Sequence, residues 1–336
     1  SLRIFEIMKI KFLLSMIGVI LSTQSAYAKI PDSSASRAQN INDNKGAKNA
    51  NNFLKKITPE FAYSYIDFNF DSTAGLNFNR YNGHSNLYSI GADHFSPVPS
   101  IIAGLYVLNI DTEVSSQFQL FPNTPIPSSQ TIHNNTLFAH MRKIFTPKFD
   151  IDIAGGYGQN RINSQTLLNR GITDIAFSKH TNDNWLASIN AVYRKRGKKI
   201  SLRTYVGMLY SQINSGSYIL AFQSNQRGQI IAPLTTKTTY IMEGAEISYK
   251  LKPALTPFVN GGLIQIADFT NSRPILTQQI NGSLPQLNMD KNGYKLGAGV
   301  IFNYKQMTLR LEEKYYSAGN IFESYQTTAG LEYRFN

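Results

Sequence analysis

The 336-residue chain carries 33 Lys and Arg against 21 Asp and Glu, for a formal net charge of +12, and has no cysteine. Without a thiol there is no disulfide framework, no cysteine-ligated zinc or iron–sulfur site and no cysteine nucleophile. Charged residues make up only 16% and aromatics 12% (19 Tyr, 20 Phe, one Trp), against roughly 25% charged residues in an ordinary domain. A hydrophobic content of 42% excludes disorder over most of the length.

The first segment reads as an export signal. Lys9 and Lys11 follow Met8 as a basic start, and Phe12 to Leu21 is apolar except for Ser15 and Gly18. Ala26-Tyr27-Ala28 then supplies a small-x-small cleavage site, so Ala26 and Ala28 mark the expected cut. Met8 is the expected start codon, with Ser1 to Ile7 an upstream extension. The apolar run is far shorter than the ~20 residues a spanning helix needs. Residues 1–28 are therefore assigned to the extension and signal peptide. Their removal takes away Arg3, Lys9, Lys11 and Glu6 and lowers the net charge to +10.

Residues 29–56 form a polar linker rich in Asn, Ser, Ala and Lys, which cannot bury enough surface to fold alone. Ala50, Phe53, Leu54 and Ile57 fall at helical spacing, so its end is helix-capable if something encloses it. Pro59 would close such a helix and open an extended segment.

From residue 57 to 336 the pattern is that of strands. Segments of about 10 to 14 residues alternate with short breaks at Ser96–Pro99, Thr146–Lys148, Lys195–Lys199, Leu251–Ala254 and Lys305–Gln306. Longer polar stretches at 70–85, 115–133, 162–184, 214–237 and 269–292, and a shorter one near 318–321, read as loops. Twelve strands, tight turns at one end and long loops at the other are the signature of an outer-membrane barrel. Period-two alternation supports it. Trp185, Ala187, Ile189, Ala191 and Tyr193 oppose Ser188, Asn190 and Arg194, and Met307, Leu309, Leu311 and Tyr315 oppose Thr308, Arg310, Glu312 and Lys314. The expected fold is all-β, a transmembrane antiparallel 12-stranded barrel, with a linker able to form a pore helix.

On this reading one face of each strand meets lipid and the other a wet lumen. The expected lumen charges are Arg142, Arg203, Glu246, Lys295, Arg310, Glu312, Glu332 and Arg334, with Asp150 and Asp152, pairing across the pore. Tyr193, Tyr249, Phe302, Tyr304, Tyr333 and Phe335 belong to an aromatic girdle. Both faces are mixed at 61–69 and 256–266, and Glu243 falls on the lipid side, which calls for a bulge or a place at the upper rim.

The closing segment TTAGLEYRF, with its Y-x-F at Tyr333 and Phe335, resembles the last strand of the autotransporter β-domain, the translocator barrel of type V secretion. Leu255-Thr256-Pro257-Phe258-Val259 followed by Gly261-Gly262 is similar to a strand opening of that family. The resemblance implies a barrel inserted by the outer-membrane assembly machinery, with periplasmic chaperones and lipopolysaccharide as further contacts, and a helical linker in the pore. It makes Tyr333 and Phe335 the assembly signal. Serine protease autotransporters release passengers by asparagine cyclisation within the pore, which singles out Asn51 and Asn52 as a speculative linker cleavage site.

Between the expected cleavage point and the barrel lie only residues 29–56, too few for a passenger domain. The functional expectation is an orphan or relic translocator. The alternatives are a free-standing channel or porin for small solutes, and a surface protein whose loops serve adhesion or interaction. A monomer is expected, with no cofactor, no metal and no enzymatic activity. His94-Phe95-Ser96 has the H-x-S spacing of lipid hydrolases but lies at a periplasmic turn, away from the outer leaflet such chemistry needs. His84-Ser85 is placed in an outer loop. The basic run 194–199 reads as a solvated hairpin turn, Gly197 supplying positive φ, and no nucleic-acid partner is expected of an exported chain.

Overall fold

A computed structural model describes residues 57–335 apart from 75, 97, 120–124, 170–172, 225–227, 232, 272–291 and 320–321. The expected leader and linker, with Ala26, Ala28, Asn51 and Asn52, lie outside the described residues, as does most of the stretch 269–292. Among the described residues there is no helix.

The strands are β1 (Thr58–Ala74), β2 (Asn77–Phe95), β3 (Ile101–Gln119), β4 (Ile126–Thr146), β5 (Phe149–Asn169), β6 (Thr173–Arg196) and β7 (Ile200–Ser215). They continue as β8 (Tyr218–Phe222), β9 (Gln229–Ile231), β10 (Leu234–Tyr249), β11 (Leu255–Asn271), β12 (Gly293–Tyr304), β13 (Met307–Ala318) and β14 (Phe322–Tyr333). All except β8 and β9 pair antiparallel with their neighbours in a closed 12-stranded barrel. Closure is made by β1 on β14, with Glu60 opposite Glu332 and Phe70 opposite Phe322.

The outward face carries an apolar band bounded by aromatics. On β5 it reads Phe149, Ile151, Ile153, Gly155 and Tyr157, and on β6 Trp185, Ala187, Ile189, Ala191 and Tyr193. That is the length a tilted strand needs to cross a bilayer. Above it Tyr157 packs on Trp185 (centroids 4.3 Å) and Tyr315 on Tyr325 (5.0 Å). Below it Phe145 meets Phe149 (5.9 Å) and Tyr333 meets Phe335 (5.2 Å). These are the two girdles. The lower one lies at the short turns, the periplasmic end of an outer-membrane barrel.

The strands do not stop where the apolar band stops. The polar stretches expected as loops are largely strand: β1 and β2 together run through 70–85, and β5 and β6 extend through most of 162–184. Serine, threonine, asparagine and glutamine suit a sheet whose two faces are both polar, so their polarity marked the end of the membrane and not the end of the ladder. β2 to β6 are 19 to 24 residues long, whereas β12 to β14 have 12 each. One side of the wall therefore rises well above the other. The stretch 214–237 is likewise folded: β8 pairs with β6 (Ala176 opposite Phe222) and with β9, around Ala176, Leu220 and Ile231.

Three local expectations change. Gly197 does not take positive φ; that conformation falls on Lys305 (φ 50°) and His94 (φ 63°) among the non-glycine residues. A Cβ at Gly197 would instead lie 2.9 Å from the Ile200 carbonyl oxygen, so close approach explains the glycine. β1 alternates cleanly, with Phe61, Tyr63 and Tyr65 outward and Ala62, Ser64, Ile66 and Phe68 inward. Its faces looked mixed because part of the inner surface is apolar. Glu243 does face outward, between Val206 and Leu263, because the β10 bulge lies higher, at Thr239/Tyr240.

Candidate functional site: the barrel lumen

Inward side chains fall into layers along the barrel axis. At the periplasmic end lies a charged layer. Arg310 Nη2 donates to Glu246 Oε2 (2.6 Å) and its Nε to Glu312 Oε2 (3.3 Å). Asn260 Nδ2 donates to Glu312 Oε1 (2.6 Å), and Lys314 Nζ lies 3.3 Å from Glu312 Oε2. The guanidinium also stacks on Phe258, 3.8 Å from the ring centre. Because β11 and β12 lie between β10 and β13, the Arg310–Glu246 contact ties together strands three places apart across the inner wall. Arg194 pairs with Asp150, and Arg334 with Glu332 (2.7 Å). Lys295 and Arg203 flank the Tyr205 ring at 5.0 and 5.8 Å. Arg142 is buried, opposite Asp152 on β5.

Every lumen charge named from the sequence thus faces inward, and Tyr333 and Phe335 face outward. Tyr333 donates its hydroxyl to Gln306 Oε1 at 2.7 Å. The charged layer opens on a cavity of about 880 Å³. Lys148, Arg194, Arg196, Lys198, Lys199, Arg203, Lys250, Lys305, Arg310 and Arg334 line it against Glu60, Glu246, Glu312 and Glu332. The vestibule is strongly cationic.

Above the charges runs an apolar belt. Tyr106 and Leu108 on β3, Phe138 on β4, Ala154 on β5, Leu186 on β6, Leu209 on β7, Tyr240 and Met242 on β10 and Ile264 on β11 form one buried cluster. Higher still, asparagines bridge β4, β5 and β6: Asn134 Nδ2 donates to Asn160 Oδ1 (2.7 Å) and to Asn184 Oδ1 (3.1 Å), and Asn160 Nδ2 to Asn182 Oδ1 (2.6 Å). The lumen is not uniformly wet, which corrects the simple reading of a polar inner face.

Sequence patterning missed a group on β1 to β5. His140 Nε2 lies 3.4 Å from Asp93 Oδ2 and its Nδ1 3.2 Å from Asp152 Oδ2. Tyr106 donates to Glu60 Oε2 (3.2 Å) and stacks near His140. A Cβ at Gly104 would fall 2.6 Å from His140 Nε2, so glycine makes room for the imidazole. His140 shares the parity of Arg142 on β4, which is the one signal that could have found it. Asp93 and His94 sit at a bulge that breaks alternation. His94 and Ser96 do not come together as a catalytic pair, since His94 is buried and Ser96 Oγ donates to the Val98 carbonyl oxygen (2.9 Å). His84 is in β2, not a loop, stacked on Tyr65 (5.9 Å).

A closed antiparallel barrel with an outward apolar band and two girdles is a transmembrane barrel of the outer-membrane class. A sequence model described as "Autotransporter beta-domain" matches residues 63–312. The chain belongs to the autotransporter β-domain family, whose barrels reside in the Gram-negative outer membrane. No curated protein matches the sequence.

Solved structures agree on the fold. The translocator domain of the autotransporter NalP from Neisseria meningitidis is similar at a TM-score of 0.63 and 12% identity, over 94% of this chain and 98% of that one. The β-domain of the Bordetella autotransporter BrkA gives 0.55 and 13%, over 82% and 98%. The transport unit of AIDA-I from Escherichia coli gives 0.51 and 10%, over 90% and 98%.

Proposed function

We propose that the barrel acts as a translocator whose lumen is occupied by chain preceding β1, residues 29–56 being the occupant. The apolar belt carries this reading. Eight strands make a barrel that side chains can fill, and twelve leave a lumen to be filled by water or by another segment. Inward residues of an aqueous channel are polar, whereas Phe138, Leu186, Leu209 and Met242 belong to a buried apolar cluster on the inner wall. Ala50, Phe53, Leu54 and Ile57, at helical spacing, offer a matching apolar stripe. β1 begins at Thr58, opposite Asp93 at the periplasmic mouth, so the chain before it starts at the right end to thread upward.

The test is planar-bilayer conductance of the full chain and of a variant lacking 29–56, both checked for heat-modifiable migration. The full chain should be largely closed and the deletion open. Equal conductance would sink the lumen-occupant reading, and an open full chain would favour the solute channel, for which the cationic vestibule speaks. Export by the leader, handling by periplasmic chaperones and recognition of Tyr333 and Phe335 by the assembly machinery belong to the same proposal. Replacing Phe335 with Ser should lower the folded yield in outer membranes several-fold without changing the stability of barrel refolded in detergent.

A further inference from the structure

We propose that Glu60, Asp93 and His94 bind one divalent transition-metal cation of the zinc class at the periplasmic end of the lumen. Ligand atoms of the three side chains lie within 4.8 Å of one another, and all three residues are more than nine-tenths buried. One imidazole and two carboxylates form a mixed nitrogen–oxygen set, which suits zinc better than the hard cations that take oxygen alone.

Three features point to a cation. Glu60 Oε2 accepts the Tyr106 hydroxyl, while Oε1 has no hydrogen-bond partner among the described residues. A buried carboxylate oxygen left this way is costly unless a proton or a cation meets it, and a metal ion that displaces the proton supplies the second. Secondly, Glu60 stands directly opposite Glu332 on the seam that closes the barrel. Like charges opposite one another destabilise a strand pair, and Arg334 is engaged with Glu332. Thirdly, regular alternation on β2 would point residue 94 at lipid. The bulge between Ala92 and Phe95, with His94 at φ 63°, turns the imidazole inward beside Asp93 and hands the outward place to Phe95. Bulges re-aim side chains in this manner at functional sites.

The surroundings fit a metal centre. His94 N–H donates to Asp93 Oδ1 (2.5 Å), His140 Nε2 lies 3.4 Å from the other Asp93 oxygen, and Asp152 orients His140 through Nδ1. Such outer partners fix a ligating carboxylate in place. The cavity of about 880 Å³, lined by Glu60 and Tyr106, supplies a route from the periplasm. Bonds of about 2.0–2.2 Å require the three donors to close in when the ion enters.

The experiment uses the full chain without a histidine tag, stripped with a chelator and folded in detergent. Zinc is titrated by calorimetry and Co²⁺ is followed by its visible absorption. One ion per chain is expected, with Glu60→Gln and His94→Gln each weakening zinc binding by at least the roughly 10- to 100-fold that loss of an outer partner of a ligand causes. His133→Gln, on the outer wall, should bind as the unsubstituted chain does. If His94→Gln does not fold, Glu60→Gln and the cobalt spectrum of the unsubstituted chain carry the test. No stoichiometric zinc, or unchanged affinity in folded Glu60→Gln, overturns the proposal, as does magnesium or calcium displacing zinc at equal concentration.

Discussion

Lys305 occupies the left-handed region at φ 50° in a two-residue turn, where a side chain with a Cβ costs about 1 kcal/mol. Lys305→Gly should therefore raise stability by about 1 kcal/mol, less a few tenths for the lost contact of Nζ with Tyr304, read from the heat-modifiability midpoint. Arg310 is the opposite case. It serves both Glu246 and Glu312, which are almost wholly buried, and its removal breaks the Glu246 pair while Glu312 keeps Lys314 and Asn260. Breaking a buried pair costs about 3–5 kcal/mol, so Arg310→Ala should lower the unfolding midpoint sharply, whereas His133→Ala, in an exposed pair with Asp111, should leave it nearly unchanged. Residue parity makes Arg310, Glu312 and Glu332 legible as inward-facing from the sequence. It could not reveal His94, because a bulge reverses parity through a backbone torsion and leaves no compositional mark.

At the scale of the strand, the outward face changes character along its own length. On β4 it passes from Ser129, Thr131, His133 and Asn135 to Leu137, Ala139 and Met141. A charge in the band should cost about 2–4 kcal/mol and one above it about nothing. Ile153→Arg on β5 should accordingly reduce stability in lipid vesicles by that amount, and Thr131→Arg on β4 should not, measured by urea unfolding. The β8–β9 hairpin is held to β6 partly by Asp174, which accepts from the Ser224 hydroxyl and backbone N–H. The Ser224 hydroxyl hydrogen bond holds the Asp174 carboxyl below its ordinary pKa. Because the folded pKa is depressed, this contribution is complete above the usual carboxylate range and is lost as pH falls through the folded pKa. Amide exchange in 218–222, corrected for its intrinsic pH dependence, should speed up under acid, and Asp174→Asn should flatten that response.

For the whole molecule, a wall that is tall over β2 to β6 and low over β12 to β14 stands on a cation-lined vestibule. A barrel lacking residues 29–56 should consequently prefer anions. The reversal potential across a salt gradient should show that preference, and it should weaken when Arg196, Lys198 and Lys199 are replaced by Gln. Strong screening is expected, since charges separated by more than about 8–10 Å cease to interact at physiological salt.

Strand number, turn positions, girdles and the inward parity of the charged residues were determined by the sequence alone, because period two and turn chemistry are local properties of the chain. The height of the strands above the membrane was not, since a polar residue reads the same in a loop and in a two-sided polar ladder, and the partner strand decides. Nor were the apolar belt and the Glu60–Asp93–His94 group, which bring together residues from strands distant in sequence. They exist only because closure of β1 on β14 and the bulge in β2 fix which side chains meet inside the barrel.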